Sequence, residues 1–547
     1  MSVCLVRRAF PLDLLLLLTM GKVSPWASSC KYPIQTGPAP QPLPTDRLPR
    51  DIRAVRDAAT YRPSGRTIVV CLDGTGDKFD NDNSNIVHLV GCLKKDDPSQ
   101  VTYYQSGIGT YDGGGLTNGV AAAFDMAIGS GLGVHIRDAY KFLMQTYHEG
   151  DKICLFGFSR GAYTARCLAG MIHKVGLLPA HNSAQLPFAY EFYKDDTPHG
   201  WMMSGEFKRT FCTDVNVYFV GAFDSVASVG FIPRTLPLSS TPFNKPLYFR
   251  HAMALDERRA KFKVARYQDR EHIEPVADET PSIGAIHEQP EGAVRRFSED
   301  LGAETLDEKD EVFHDAEEVQ NTDILEVWFT GCHADVGGGA VGNDVRHKLS
   351  QIPLRWMLRQ CFECDTGITF HTHRLAEEGL DVHTLWPKYT RLEQPVVDPP
   401  PHIVEKYENG ELGHIRRRRA ALQSSKRYDG QDHYKLRIWK DEQAGVPADH
   451  WVPEQVEDYF DALQPINDQL EVAKGWWVLE FLPVEVKLQN AARDAWTTRW
   501  AQNWGMFRPV MESEPNLHWT VRQRMKNQAG YQVRVRTNRD VAWRICV

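Results

Sequence analysis

The 547 residues include 42% hydrophobic and 24% charged side chains, the balance of an ordinary globular protein. That length allows two or more folding units, or one large α/β domain with insertions. A net charge of −8 disfavours a general nucleic-acid binder, whose phosphate contacts need a basic surface, and leaves room for a local basic patch. Eleven cysteines lack framework spacing and several sit in apolar runs (Cys71, Cys154, Cys167), so they read as reduced, buried thiols and the expected compartment is the cytoplasm.

Residues 1–66 read as a disordered leader. Arg7, Arg8 and the run Leu14 to Leu18 resemble a signal peptide, so a secretory signal stays open as the alternative, but the apolar core is too short to span a bilayer. A catalytic α/β domain is expected over 67–375. Its first strand, Thr67–Leu72, is β-branched and apolar and ends in the turn Asp73-Gly74-Thr75-Gly76. A second strand is predicted at 101–105, ending at Gly107 and Gly109. A helix is predicted at 133–147, a strand at 153–156, a helix at 162–175, and strands at 215–223 and 324–329. Strands alternating with helices, several apolar throughout, predict a mostly parallel sheet covered on both faces. Residues 268–320 are strongly acidic and read as an exposed insertion. Residues 376–547 are expected to form a cap or accessory region packed on the catalytic domain. This region contains the surface run Arg416 to Arg419 and is rich in tryptophan, which usually fills a core. A lipid-gripping aromatic surface is the sharper reading.

Gly157-Phe158-Ser159-Arg160-Gly161 matches G-x-S-x-G between a predicted strand and a predicted helix. That context is the one a nucleophile elbow requires, with Gly157 and Gly161 leaving room for backbone that passes too close for a Cβ. The helix N-terminus then faces the reacting centre, and the backbone N–H of Arg160 is the expected first half of an oxyanion hole, with Gly74 or Thr75 supplying the second. A serine needs a base, and the base an orienting acid. In chain order after Ser159, Asp224 ends one predicted strand and His333 follows another, inside a glycine-rich loop; Asp335 is the rival acid. Asp77, Asp80 and Asp82 do not match a calcium loop, Gly129-x-Gly131-x-Gly133 does not follow a strand, and Cys361 with Cys364 is half of a zinc site at most. No cofactor and no metal are expected.

Several blocks resemble one family in order. These are Leu72 to Gly76, Tyr104 to Thr110, Gly157 to Arg166, Phe223 to Gly230, His251 to Arg259, and Trp328 to Gly339, with Trp476-Trp477-Val478-Leu479-Glu480 similar to a tail seen in fungal members. The family is the α/β-hydrolase domain of type VI secretion phospholipase effectors, widespread in fungi. The resemblance implies an α/β-hydrolase fold, a Ser159–Asp224–His333 triad and a carboxylic ester substrate, phospholipid in the bacterial members. Ser225 stands where threonine is more usual. Nothing resembles a secretion-system adaptor. Substrate choice resides in insertions rather than in a fold, so a short-chain esterase or thioesterase, or a non-catalytic lipid- or partner-binding relative, stays open. Peripheral membrane contact and oligomeric state stay open too.

Overall fold

The segment Thr67–Leu72 becomes a central strand because every side chain in it is β-branched or apolar, and all six residues are buried. In the computed structural model, residues 48–75, 77, 79–107, 131–226, 236, 246–267, 322–395, 399, 401–409, 433–434 and 453–547 are described. The acidic insertion 268–320, Arg416 to Arg419, Gly109, Gly129 and the first 47 residues lie outside them. The described residues belong to one compact unit, Leu43–Val547.

Eight strands form the main sheet: β1 (Thr67–Leu72), β2 (Gln100–Gln105), β3 (Lys152–Phe158), β4 (Val217–Phe223), β5 (Tyr248–Ala254), β6 (Asp323–Phe329), β7 (Asn516–His518) and β8 (Arg544–Cys546). Their order is β8-β7-β6-β5-β4-β3-β1-β2, and every neighbouring pair is parallel. Seven helices matter below: α1 (Asn85–Cys92), α2 (Leu132–Thr146), α3 (Arg160–Val175), α4 (His333–Gly337), α5 (Gln351–Glu363), α6 (Pro453–Ala462) and α7 (Trp519–Asn527).

Side chains alternate across the sheet, as strand geometry requires. Ile68, Val70 and Leu155 pack against Ile136 and Tyr140 of α2 and Leu168 and Ile172 of α3. Val69, Cys71, Cys154 and Phe156 belong to the core on the other face, with Ile86 and Leu89 of α1 and Leu354 and Met357 of α5. Helices on both faces of a parallel sheet make this an α/β-hydrolase-like architecture, as expected. Cys361 and Cys364 are buried free thiols in the α5-side core.

Residues 48–66, expected to belong to a disordered leader, are part of the fold. Asp51–Arg53 pairs with Thr369–His371, and Leu48, Ile52, Ala54 and Val55 are buried. The C-terminal segment, expected as a cap, enters the sheet itself: β7 hydrogen-bonds to β6, and β8 to β7. Buried ion pairs dock it on α5. Arg355 donates to Asp458 at 2.7 Å, and Arg359 grips Glu454 with two bonds of 2.6 Å, both partners being on α6. Neither strand has an apolar run long enough to announce it.

The chain runs from β1 outward to β2 and then returns to the other side of β1 as β3. Such a switch point opens a crevice at the carboxyl ends of the strands, where open α/β sheets bind ligands. The Asp73 turn, after β1, and Ser159, after β3, both lie there.

Candidate active site

Ser159 stands between the last residue of β3 and the first of α3, with φ 58° and ψ −124°, a conformation strained for any side chain but glycine's. Several contacts hold it. Its N–H donates to the Phe223 carbonyl (3.0 Å), and its own carbonyl accepts from Tyr163 (3.2 Å) and Val226 (3.4 Å). A Cβ on Gly157 would lie 2.5 Å from the Ala162 backbone, and one on Gly161 would lie 2.3 Å from the Leu72 carbonyl oxygen. The two glycines therefore let α3 spring directly from β3 across the end of β1.

Asp224 follows β4 with φ 38° and is fully buried. Its Oδ2 lies 2.6 Å from His333 Nδ1. Its Oδ1 accepts the Ala254 N–H at 2.9 Å. Arg508 completes the cage: Nη1 donates to Oδ1 (2.6 Å) and Nη2 to Oδ2 (2.8 Å), a bidentate grip from a residue 284 positions later. Burial alone would raise this carboxyl, but Arg508 and His333 outweigh it and hold it far below the usual carboxylate range.

His333 opens α4, one turn beyond β6, and is 5% exposed. Phe158 and Phe262 flank its ring, with centroids at 4.7 and 4.8 Å. Its backbone N–H reaches Glu257 Oε2 at 3.2 Å. Glu257 is itself tied to Arg259 by bonds of 2.8 and 3.0 Å. Burial lowers the imidazole below its ordinary value, Asp224 opposes that shift, and Arg259 reinforces it. With Nδ1–H given to a carboxylate, Nε2 is left as the acceptor. The glycines after His333 serve close packing, as their density suggests. A Cβ on Gly337 would penetrate the Phe158 ring at 1.8 Å, and one on Gly338 would meet the Asn85 backbone at 2.6 Å.

Ser159 and His333 line one cavity of about 220 Å³ together with Thr75, Arg160, Arg259, Phe262, Gln469 and Trp476, among others. Two expectations need correction. Gly74 is not a spare donor, because its N–H is given to Asp73 Oδ1 at 2.9 Å. That carboxylate also accepts from Ser84 and Tyr104 and braces the turn. Thr75 is the turn residue that faces the cavity. Asp335, the rival acid, is turned away from the imidazole. It accepts from the Cys332 N–H (2.9 Å) and from Asn467 (2.6 and 2.9 Å), and burial pushes it up to about 6.

Arg508, Gln469 and Trp476 come from the C-terminal segment; Arg508 and Gln469 had no local signal, and Trp476 sat in a recognised block that did not mark it as a cavity residue. Glu257 and Arg259 sat in a recognised block, but nothing in that block marked them as neighbours of His333. No metal-binding cluster of histidine, cysteine and acidic side chains occurs among the described residues, and no helix there is long and apolar enough to cross a membrane.

The family model described as "T6SS, Phospholipase effector Tle1-like, catalytic domain" matches residues 66–360, over half of the chain. A yeast relative, "Uncharacterized protein YEL023C" of Saccharomyces cerevisiae, is 27% identical over 576 residues, covering 87% of this chain and 81% of its own. Among solved structures, an uncharacterised protein from Pseudomonas aeruginosa is similar at 17% identity and a TM-score of 0.31, over 77% of this chain and 60% of that one. The Tle1 effector bound to the VgrG spike of the type VI secretion system is similar at 17% identity and a TM-score of 0.23, over 51% of this chain and 52% of that one. With a strand–serine–helix elbow at the crevice of a parallel sheet and a family model spanning it from β1 into α5, this chain belongs to the Tle1-like catalytic domain family of type VI secretion phospholipase effectors.

Proposed function

We propose that this chain hydrolyses lipid carboxylic esters through an acyl-enzyme on Ser159. The observation that carries the reading is the bond of 2.6 Å between Asp224 and His333 Nδ1, in the same cavity as a serine held at a strained elbow. His333 Nε2 takes the hydroxyl proton as Ser159 Oγ attacks the ester carbonyl carbon. Asp224 stabilises the imidazolium. The backbone N–H groups of Arg160 and Thr75 are the donors assigned to the tetrahedral oxyanion, each contributing roughly 3–4 kcal/mol. The C–O bond to the alcohol breaks and His333 returns its proton to the leaving oxygen. Water, deprotonated by the same histidine, then releases the acid and regenerates Ser159.

Membership in a phospholipase effector family supports a lipid ester rather than a short-chain ester or thioester. So do exposed apolar side chains of the C-terminal segment. Val472, Val478, Phe481, Trp500 and Trp504 are exposed on the segment that also sends Gln469 and Trp476 into the cavity, and the Phe481 and Trp504 rings touch at 5.0 Å. An exposed aromatic pair such as Phe481 and Trp504 suits the interface of a lipid layer.

A fluorophosphonate probe tests the core of the proposal. It should label the wild type and not Ser159→Ala. A folded wild type that resists the probe and turns over no ester, from p-nitrophenyl acetate to long-chain phospholipids, is a binding protein instead. Turnover confined to short chains assigns an ordinary esterase.

A further inference from the structure

The block from His251 to Arg259 opens with a histidine that the reaction above does not use. His251 on β5 and Glu326 on β6 stand opposite each other in the parallel register, and both are buried. His251 Nδ1 lies 2.9 Å from Glu326 Oε1. Glu326 also accepts from Arg266 Nη2 at 3.0 Å and from the Tyr267 N–H at 3.1 Å. Burial would raise the Glu326 carboxyl, but His251, Arg266 and Tyr267 outweigh it and hold it down at about 2. An ionised carboxylate at Nδ1 fixes the ring proton there, so Nε2 presents a lone pair. Burial lowers His251 below its ordinary value and Arg166 reinforces that, although Glu326 and Asp224 favour the charged form. The neutral ring accepts the Ser225 N–H on Nε2 at 3.0 Å. Both ring nitrogens are therefore engaged, and the pair is not a second proton-transfer dyad.

Ser225 directly follows Asp224, and its peptide is held on both sides. Its carbonyl accepts the Ala265 N–H at 2.7 Å, and Arg166 of α3 donates to the carbonyls of Ala265 and Arg266. The next N–H, of Val226, is given to the Ser159 carbonyl at 3.4 Å. The turn 224–226 thus ties the serine elbow to the acid. Asp224 has φ 38°, a conformation that persists only where its surroundings over-determine it.

We infer that His251 is a positioning residue for the acid: through the Ser225 N–H it sets the peptide after Asp224, and so the aim of the Asp224 carboxylate at His333. Glu326 acts one step further back, by fixing the His251 tautomer. A buried N–H that loses its acceptor is costly. Without His251 the peptide turns towards another partner and carries Asp224 with it. This role rests on the hydrolase reading for its effect on turnover, but one of its tests needs no turnover.

Substitutions in the full chain separate the two bonds of His251. His251→Gln puts an amide oxygen where Nε2 stands and keeps an acceptor for Ser225. His251→Asn puts an amide N–H where Nδ1 stands and keeps only the bond to Glu326. His251→Leu keeps neither. The Leu and Asn variants should lose about a hundredfold in kcat on a monomeric ester, the cost of a misaimed group, with KM within about twofold of wild type. His251→Gln should recover at least about tenfold of that loss. Asp224 raises the His333 imidazole, so a misaimed carboxylate raises it less, and the acid limb of kcat/KM should move to lower pH in the Leu and Asn variants. Thermal unfolding identifies the folded variants; if His251→Leu does not fold, the Asn and Gln pair carries the comparison.

The second readout is the low-field proton resonance of the bond from His333 Nδ1 to Asp224, identified by its loss in His333→Ala. It should persist in His251→Gln and move upfield in His251→Asn. Activity that survives in Asn and not in Gln overturns the positioning role. So does lost activity with an unmoved acid limb and an unmoved resonance, which would leave His251 as packing within the sheet. A wild type that turns over no ester sinks the hydrolase reading instead, and the resonance still reports whether His251 aims Asp224.

Discussion

The stretch from β1 to α5 and the segment after residue 453 build the same site by different means. The first carries short, dense motifs: Ser159, Asp224 and His333 each lie within a few residues of a strand's carboxyl end. The second has one short block, Trp476 to Glu480, and otherwise contributes single residues, yet it supplies two strands of the sheet, Asn467 on Asp335, Gln469 and Trp476 in the cavity wall, and Arg508 on Asp224. Local motifs place the groups proposed to react, because a strand end and a tight turn aim a side chain with few degrees of freedom. The distant segment sets the field around those groups, because a buried carboxylate needs a compensating cation wherever the chain can bring one.

This division of labour is easiest to break at the elbow. Ser159→Gly should lower ester turnover by roughly a millionfold, yet stabilise the fold by about 1 kcal/mol, since glycine accepts φ 58° without strain. Chemical denaturation beside a kinetic assay reads both signs, and a destabilised Ser159→Gly would mean that the elbow stores no strain. Arg508→Met should destabilise by roughly 3–5 kcal/mol, because it leaves the Asp224 charge buried with one partner fewer. Arg508→Lys should recover part of that loss, as a point charge cannot reproduce two parallel bonds. If Arg508→Met unfolds at the wild-type denaturant concentration, the distant segment does not set the field.

The pH profile offers a subtler check. Burial disfavours the imidazolium of His333, so the neutral base persists below the ordinary histidine value of about 6.5. The acid limb of kcat/KM should therefore fall below that pH; a limb above it would mean that Asp224 dominates over burial. The smallest effect belongs to the surface. Phe481→Ser with Trp504→Ser should slow turnover of vesicular lipid severalfold and that of a monomeric ester by less than about twofold. Equal slowing of both would place these rings in the catalytic domain's packing rather than at a membrane.

The central strands were legible because a parallel sheet buries both faces and so writes continuous apolar runs, as in Thr67–Leu72. The elbow was legible because its steric demands admit few residues. Asp224 and Asp335 were not separable in this way: both lie within reach of His333 in a linear reading, and what turns Asp335 aside is Asn467, 132 positions on. Gly74 looked like a free donor because the side-chain bond that occupies its N–H is set by how Asp73 is braced. β7 and β8 were invisible, since three residues carry no period and their pairing is decided by β6.

By itself, then, the order of residues determined where strands must be buried, where glycine alone fits and which serine stands at a tight strand-to-helix turn, since these depend on the sterics of neighbours along the chain. Tertiary structure alone decided which acid meets the histidine and which arginine matches that acid. Charges settle in a low-dielectric interior according to distance in space, and distance along the chain does not encode it.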